Sequence, residues 1–312
     1  MRNRPRVTVL GSLNMDISVT VPRLPEPGAT VLGSAARFTP GGKGANQAVA
    51  AARLGAGVRM AGCVGDDDFG RRLLAGLRAE GVNADGVRVT ADAPTGLAMI
   101  SVDLAGENII TVAPGANHEV GAAEIEVAAG GSGDVLVICA EIPVPAIKVA
   151  LARATPAQAA GCILNLAPAP PDAAGVVAAG VDWLVVNETE AAAVLGRPVS
   201  GLAEAGQAAA ALIAAGARHA VVTAGAHGVA LAGPDPTATI GAFRVDAVDT
   251  VGAGDTFVGA LAVALAAGIP AAEAVRAASA AAATAVTRPG AQAGMPRPAD
   301  ILATTGLVWP AG

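Results

Sequence analysis

The stretch Asp249-Thr-Val-Gly-Ala-Gly-Asp-Thr-Phe257 holds the most chemically suggestive pattern in the chain. Gly252 and Gly254 let the backbone turn tightly and approach a ligand with no Cβ in between. The segment runs straight into an Ala-rich helical stretch. Gly252, Ala253 and Gly254 are therefore placed to offer the unpaired amides and partial positive charge of a helix N-terminus, an anion hole suited to a transferring phosphoryl group. Asp255 beside such a hole could accept the proton of an attacking hydroxyl, or it could be no more than the N-cap of the helix. The pattern fits both. No Gly-Lys-Ser/Thr follows the glycines, so this is not a Walker A loop.

A second glycine-rich stretch, Pro40-Gly-Gly-Lys-Gly-Ala-Asn-Gln47, also leads into a helix. Gly42 lets backbone lie against a ligand, Lys43 supplies a mobile charge, and Asn46 supplies a donor and an acceptor in the first turn. A plain turn with a surface lysine fits the same residues. Asn14 and Asp16, two apart after the first strand, share a face if the chain is extended there, and an amide beside a carboxylate suits a pair of sugar hydroxyls. Glu141 follows another strand, at the end of a parallel sheet where ligands bind. Asn187-Glu-Thr-Glu190 reads as a capping box, with a role near hydrated Mg²⁺ and phosphate as the alternative for Asn187 and Glu190. Thr223-Ala-Gly-Ala-His-Gly228 is a turn that could meet nucleotide phosphates, with His227 expected to be a loop residue.

These residues need a scaffold, and the apolar pattern supplies one. Short apolar runs predict strands at Val7–Leu10, Val58–Cys63, Val135–Cys139, Cys162–Leu166, Trp183–Val186 and Ala220–Thr223. Between them lie predicted helices at Ala45–Leu54, Phe69–Glu80, Pro145–Ala152, Glu188–Leu195, Leu202–Ala215, Thr256–Ala267 and Ala271–Val286. Continuously apolar strands alternating with helices predict an α/β fold, a doubly wound and mainly parallel sheet covered on both faces. Two pairs break the rhythm: Ile17–Val21 with Val31–Phe38, and Leu97–Asp103 with Asn108–Val112, the latter split by Ala105-Gly106. They predict hairpins forming a small sheet, a lid, with an edge extension of the main sheet as the alternative.

Composition narrows the function classes. The chain has 312 residues, 53% hydrophobic, much of it Ala, a length that suits one large domain plus a small appendage. With the sheet pairs above, the expectation is one α/β domain over 1–312 with lid strands near 12–38 and 96–113 inserted in it. The longest apolar run, Phe257–Ile269, falls short of the ~18 residues of a membrane span and predicts a buried helix. Met1 leads through Arg2, Arg4 and Arg6 into a brief strand with no secretory pattern, and Cys63, Cys139 and Cys162 sit in apolar segments without metal-type spacing. A cytoplasmic protein with buried thiols is expected. A net charge of −6, 2% aromatic residues and no Tyr argue against nucleic acid as a partner. Gly11-Ser-Leu-Asn after the first strand lacks the spacing of a dinucleotide fingerprint.

The two glycine-rich signatures, in order and with Asn187–Glu190 between them, resemble those of the ribokinase family of sugar and nucleoside kinases, often called PfkB. The resemblance extends over nearly the whole chain. It implies a doubly wound domain with a β lid that often serves as a dimer contact, so a homodimer is expected. It implies ATP as phosphoryl donor with Mg²⁺, Asp255 as base, and Gly252 to Gly254 as anion hole. Asn14, Asp16, Gly42, Lys43, Asn46 and Glu141 would hold the sugar. Asn187, Glu190, Thr223, Ala224, Gly225, Ala226, His227, Gly228, Gly254 and Ser279 would serve the nucleotide. A K⁺ or similar monovalent cation would be ringed by Asp249, Val251, Ala285, Arg288, Gly290 and Gly294, mostly through carbonyls. Gly294 stands where relatives can have Ser, and Ser279 where they often have Asn or His. The form of the first signature points to phosphorylation of D-ribose at O5. A kinase for 2-deoxyribose, a ketosugar or a nucleoside, or a non-catalytic sugar or nucleotide sensor, remains open.

Overall fold

A computed structural model describes residues 4–131, 134–154 and 159–311; Met1 and Arg2 lie outside them. In chain order the first elements are β1 (Arg6–Leu10), β2 (Asn14–Thr20), β3 (Arg37–Gly41), α1 (Lys43–Arg53), β4 (Gly57–Gly65), α2 (Asp68–Ala79), β5 (Asn83–Thr90), β6 (Gly96–Val102), β7 (Asn108–Ala113) and α3 (Ala122–Ala129). There follow β8 (Asp134–Cys139), α4 (Val144–Arg153), β9 (Ala159–Asn165), α5 (Ala173–Ala178), β10 (Val181–Asn187), α6 (Glu188–Leu195), α7 (Gly201–Ala214), β11 (Ala217–Thr223), β12 (Val229–Ala232) and β13 (Ala238–Ile240). The chain closes with α8 (Ala253–Ala266), α9 (Ala271–Ala285), α10 (Ala291–Gly294) and α11 (Pro298–Thr305).

Nine strands form the main sheet in the order β13-β12-β11-β10-β9-β8-β1-β4-β5. The seven from β11 to β5 pair in parallel; β12 and β13 add an antiparallel edge. Along β8, Val135 and Val137 belong to the core under α1, α8 and α9, whereas Leu136 and Ile138 belong to the core under α4, α6 and α7. Burial on both faces explains why these strands read as unbroken apolar runs. The apolar run from Phe257 lies in α8, whose residues Phe257 to Ala264 are buried. Among the described residues no helix is long and apolar enough to cross a membrane. Cys63, Cys139 and Cys162 are buried and free, and burial pushes the Cys139 thiol up to about 11.

β2, β3, β6 and β7 make a separate four-stranded sheet, ordered β3-β2-β6-β7, in which both expected hairpins occur and β2 pairs β6 in parallel. Its bounds differ from expectation. The strand expected at Val31–Phe38 is β3, Arg37–Gly41; Ser34 closes the turn instead, its amide on the Thr20 carbonyl and its hydroxyl accepting from the Thr20 amide. β2 starts three residues earlier than expected because Asn14 pairs across to Gly41. The sequence reading also lacked β5, β12, β13 and the short helices α3, α5, α10 and α11.

Candidate active site

The parallel strands end along one edge of the main sheet, and that topology gathers the polar residues. Ser12 follows β1, Glu141 follows β8, and Asn165, Asn187 and Thr223 terminate β9, β10 and β11, each beside the next. Among the helices that start at this edge, α1 and α8 pack so closely that a Cβ on Gly259 would fall 2.7 Å from both Ala50 Cβ and the Gln47 carbonyl oxygen.

Gly42 is the N-cap of α1 with φ 87°, a conformation that favours glycine, and a Cβ there would also lie 2.6 Å from the Asn14 amide nitrogen. The sharp turn puts Lys43 at the first helical position and Asn46 one turn later. Ser12 braces the turn: its hydroxyl donates to Glu141 Oε2 at 2.5 Å, and its carbonyl accepts from the Ala45 amide. Glu141 Oε2 also accepts from the Lys43 amide at 3.1 Å.

α8 begins at Ala253, three residues before the expected start, with Gly252 (φ 78°) as N-cap. Asp255 therefore does not cap the helix. It lies in the first turn, nearly buried, and both carboxylate oxygens accept from α1: Asn46 Nδ2 donates to Oδ2 at 2.8 Å and Gln47 Nε2 to Oδ1 at 3.1 Å. Of the first-turn amides beside it, that of Ala253 donates to the Thr250 carbonyl at 3.2 Å, whereas those of Gly254 and Asp255 lack intrahelical partners by helix geometry. Gly254 is exposed and a Cβ there would meet nothing within 4 Å, so the helix end opens onto free space.

Asn14 and Asp16 are on one face of β2, as expected from their spacing. Asn14 Oδ1 accepts from Asn117 Nδ2 at 2.7 Å, and Asp16 fills the space where a Cβ on Gly41 would stand. Burial, reinforced by Glu141 and Asp255 and partly offset by Lys43, pushes the Asp16 carboxyl up to about 7. Burial alone would lower the Lys43 ammonium, but Asp255, Glu141 and Glu190 more than reverse this and hold it above the ordinary lysine value. One lysine thus stands in the field of carboxylates from β2, the end of β8, α6 and α8.

Asn187 and Glu190 form the expected capping box of α6: the Glu190 amide donates to Asn187 Oδ1 at 2.9 Å, and Glu190 accepts from the Asn187 amide at 2.8 Å. Burial raises the Glu190 carboxyl against the pull of Asn187 and Lys43. Thr223 to Gly228 is the tight turn joining β11 to β12, with Ala224 bonded to Gly228 and Gly225, Ala226 and His227 exposed. Ser279 donates to the Val275 carbonyl within α9. A groove lined by Ile240, Phe243 and Arg276 runs along that helix one turn before it.

Asp249 links two loops: Oδ1 accepts from the Val251 amide at 3.0 Å and Oδ2 from the Gly290 amide at 2.7 Å. A Cβ on Gly294 would lie 3.1 Å from the Ala285 carbonyl oxygen and 3.2 Å from that of Arg288, so these carbonyls converge on one spot. The Arg288 guanidinium is engaged with Asp300. Ser12, Gln47, Asn117, Asn165 and Gln292 were not among the candidates. Gln47 and Asn46 stand together in the first signature, and that adjacency was the available signal.

Residues 4–298 match the pfkB family of carbohydrate kinases. The chain belongs to this family. It is 39% identical to the ribokinase of Bacillus subtilis over 303 residues, covering 95% of this chain and 97% of the relative. A deoxyribokinase of Salmonella typhi is 33% identical over 258 residues, 82% of this kinase and 84% of the other. The structure of Arabidopsis thaliana ribokinase complexed with ribose and ATP superposes with a TM-score of 0.86 at 30% identity, covering 96% of this chain and 98% of that one.

Proposed function

We propose that this kinase transfers the γ-phosphoryl group of ATP to O5 of D-ribose, giving D-ribose 5-phosphate and ADP. The observation that carries this is Asp255, fixed by two amide donors at the mouth of α8 within the field of Lys43. Asp255 takes the proton of the sugar hydroxyl, the O5–phosphorus bond forms, and the bond to the ADP oxygen breaks. Gly252, Ala253 and Gly254 form the anion hole for the charge that develops on the transferring group, with the Ala253 amide shared with the Thr250 carbonyl. Asn14, Asp16, Gly42, Lys43, Asn46 and Glu141 hold the sugar, with the Asp16 carboxylate accepting from two ring hydroxyls.

The nucleotide lies across the ends of β10 and β11, its phosphates near Asn187, Glu190 and the Thr223–Gly228 turn and its base near Ser279. Asn187 and Glu190 would hold the hydration shell of Mg²⁺ bound with ATP, which would neutralise phosphate charge; both Glu190 oxygens already accept from Asn187. Among the described residues no cluster of His, Cys, Asp or Glu could cage a metal. The loops that carry Asp249, Val251, Ala285, Arg288, Gly290 and Gly294 would hold a monovalent cation, mostly through carbonyls, and it would supply positive potential beside the anion hole. The four-stranded sheet serves as a lid inserted in one catalytic domain, and as the surface of a cytoplasmic homodimer.

Registered pairing puts Asp16 beside Ala98 and Val112, and Ser18 beside Ile100 and Ile110, so the sugar-holding face continues as an apolar strip. Ile110 is 52% exposed and Val112 45%, which suits a second copy of the same sheet.

ADP release measured with ribose, 2-deoxyribose, a ketosugar and a nucleoside tests the assignment. Ribose is expected to lead 2-deoxyribose by at least about tenfold in kcat/KM, because the missing hydroxyl strands an Asp16 oxygen. Preference for any other substrate overturns ribose. No ADP release with the whole panel favours a sensor.

A further inference from the structure

Asp255 is met by Asn46 through its Nδ2 end. An asparagine amide has two ends of nearly equal shape and opposite polarity, and only the nitrogen can face a carboxylate favourably. The Asp255 carboxylate favours the nitrogen end, and a partner at the other end can lock that choice. The other end, Asn46 Oδ1, accepts from Gln292 Nε2 at 3.0 Å. The backbone that carries Gln292 is held in turn: it lies in the short helix α10, and Arg53 Nη1 donates to the main-chain carbonyls of Gln292 at 2.5 Å and Met295 at 2.9 Å. Arg53 is itself forked onto Glu80 through Nε and Nη2, at 2.9 and 2.7 Å.

We infer that Gln292 is a positioning residue for phosphoryl transfer, fixing the orientation of the Asn46 amide so that its nitrogen, not its oxygen, is presented to Asp255. This rests on the assignment of Asp255 as base. Gln292 does not touch the reacting atoms in this account; its influence passes through Asn46. Polarity, more than packing, is what it contributes. Gln292→Glu keeps the shape but accepts where the amide donates, so it would favour the reversed amide and turn the Asn46 oxygen toward Asp255. Gln292→Leu merely removes the donor, and with it the lock.

The test compares Gln292→Leu, Gln292→Glu, Asn46→Ala and the double variant Gln292→Leu with Asn46→Ala, by kcat, KM for ATP and thermal melting. Gln292→Leu is expected to lose about tenfold in kcat, the scale of one hydrogen bond in a charged network, with KM for ATP and melting little changed. Gln292→Glu is expected to fall further than Gln292→Leu. In the Asn46→Ala background, Gln292→Leu should cost less than twofold, since the group it acts through is gone. A Gln292→Leu enzyme within twofold of wild type, or one that adds its full loss to Asn46→Ala, overturns the inference. If Asn46→Ala is too slow to measure, the order of the two Gln292 variants decides: glutamate below leucine supports the assignment, and glutamate equal or better removes it. Asp255→Asn is run alongside. If that variant keeps wild-type turnover, the base assignment falls and this inference with it; if it is inactive beside a normal Gln292→Leu, the inference alone falls.

Discussion

At Asp255 the cap reading falls away, because Gly252 occupies the cap and the carboxylate turns toward α1, and the proposed role of base is the one to test. Asp255→Asn is therefore expected to leave melting and ATP binding near wild type while lowering kcat by roughly 10²–10⁴-fold. Retention of turnover within about threefold would end its role as base. Asp16 carries a pH signature. Its carboxyl, pushed up to about 7 chiefly by burial, keeps its proton in the folded protein through the range where the unfolded chain has lost it. A raised carboxyl costs stability as pH rises, so the sugar-free protein should weaken between the ordinary carboxylate value and about pH 7. Sugar binding runs the other way, since two hydroxyl donors need the ionised form. Ribose should bind on the order of tenfold more weakly at pH 6 than at pH 8 by calorimetry, and Asp16→Asn should flatten that dependence.

At the scale of elements, α1 and α8 must touch for Asn46 and Gln47 to reach Asp255. Gly259 permits the approach, and Gly259→Val should cost about 1–3 kcal/mol through overpacking, read as a lower melting temperature. Unchanged melting would mean the helices are free to separate. The loops bridged by Asp249 lead to a second expectation: turnover should rise in K⁺ relative to Na⁺ or a bulky organic cation, and equal rates in all three would refute a cation site there. The central strands and long helices were legible in the sequence because burial on both faces leaves an unbroken apolar signature, as in Val135–Cys139. β5 escaped because its pattern, Asn-Ala-Asp-Gly-Val-Arg-Val-Thr, mixes polar and apolar residues at the sheet edge. The glycine signatures marked Lys43, Asn46 and Asp255, since those turns demand rare residue types. Gln292, Asn117 and Asn165 left no trace, because their partners lie 246, 103 and 118 residues away and only tertiary folding joins them.

At the scale of the whole molecule, the sugar's proposed holders are divided between the two sheets. Asn14 and Asp16 ride on the small sheet, while Asn46, Glu141 and Asp255 belong to the main body. Sugar bound there is a clasp between them. The face of β2 that carries Asp16 continues through Ile100 to Ile110, the strip proposed to meet a second copy. Replacing Ile110 by Asp should turn a dimer into a monomer in sedimentation, and an unchanged dimer would move the interface elsewhere.

Thermodynamic reciprocity then ties two measurements that look unrelated. If pairing of two chains steadies the sheet that holds Asp16, it must strengthen sugar binding by some factor, and the sugar must strengthen pairing by that same factor. Dilution of the enzyme would loosen its grip on ribose, and saturating ribose would hold the pair together at lower protein concentration. The dimer dissociation constant measured with and without ribose gives the factor from one side, and the ribose affinity of the Ile110→Asp monomer gives it from the other. Agreement makes assembly an effector of the sugar site, so that the amount of enzyme in solution sets how well each copy holds its substrate.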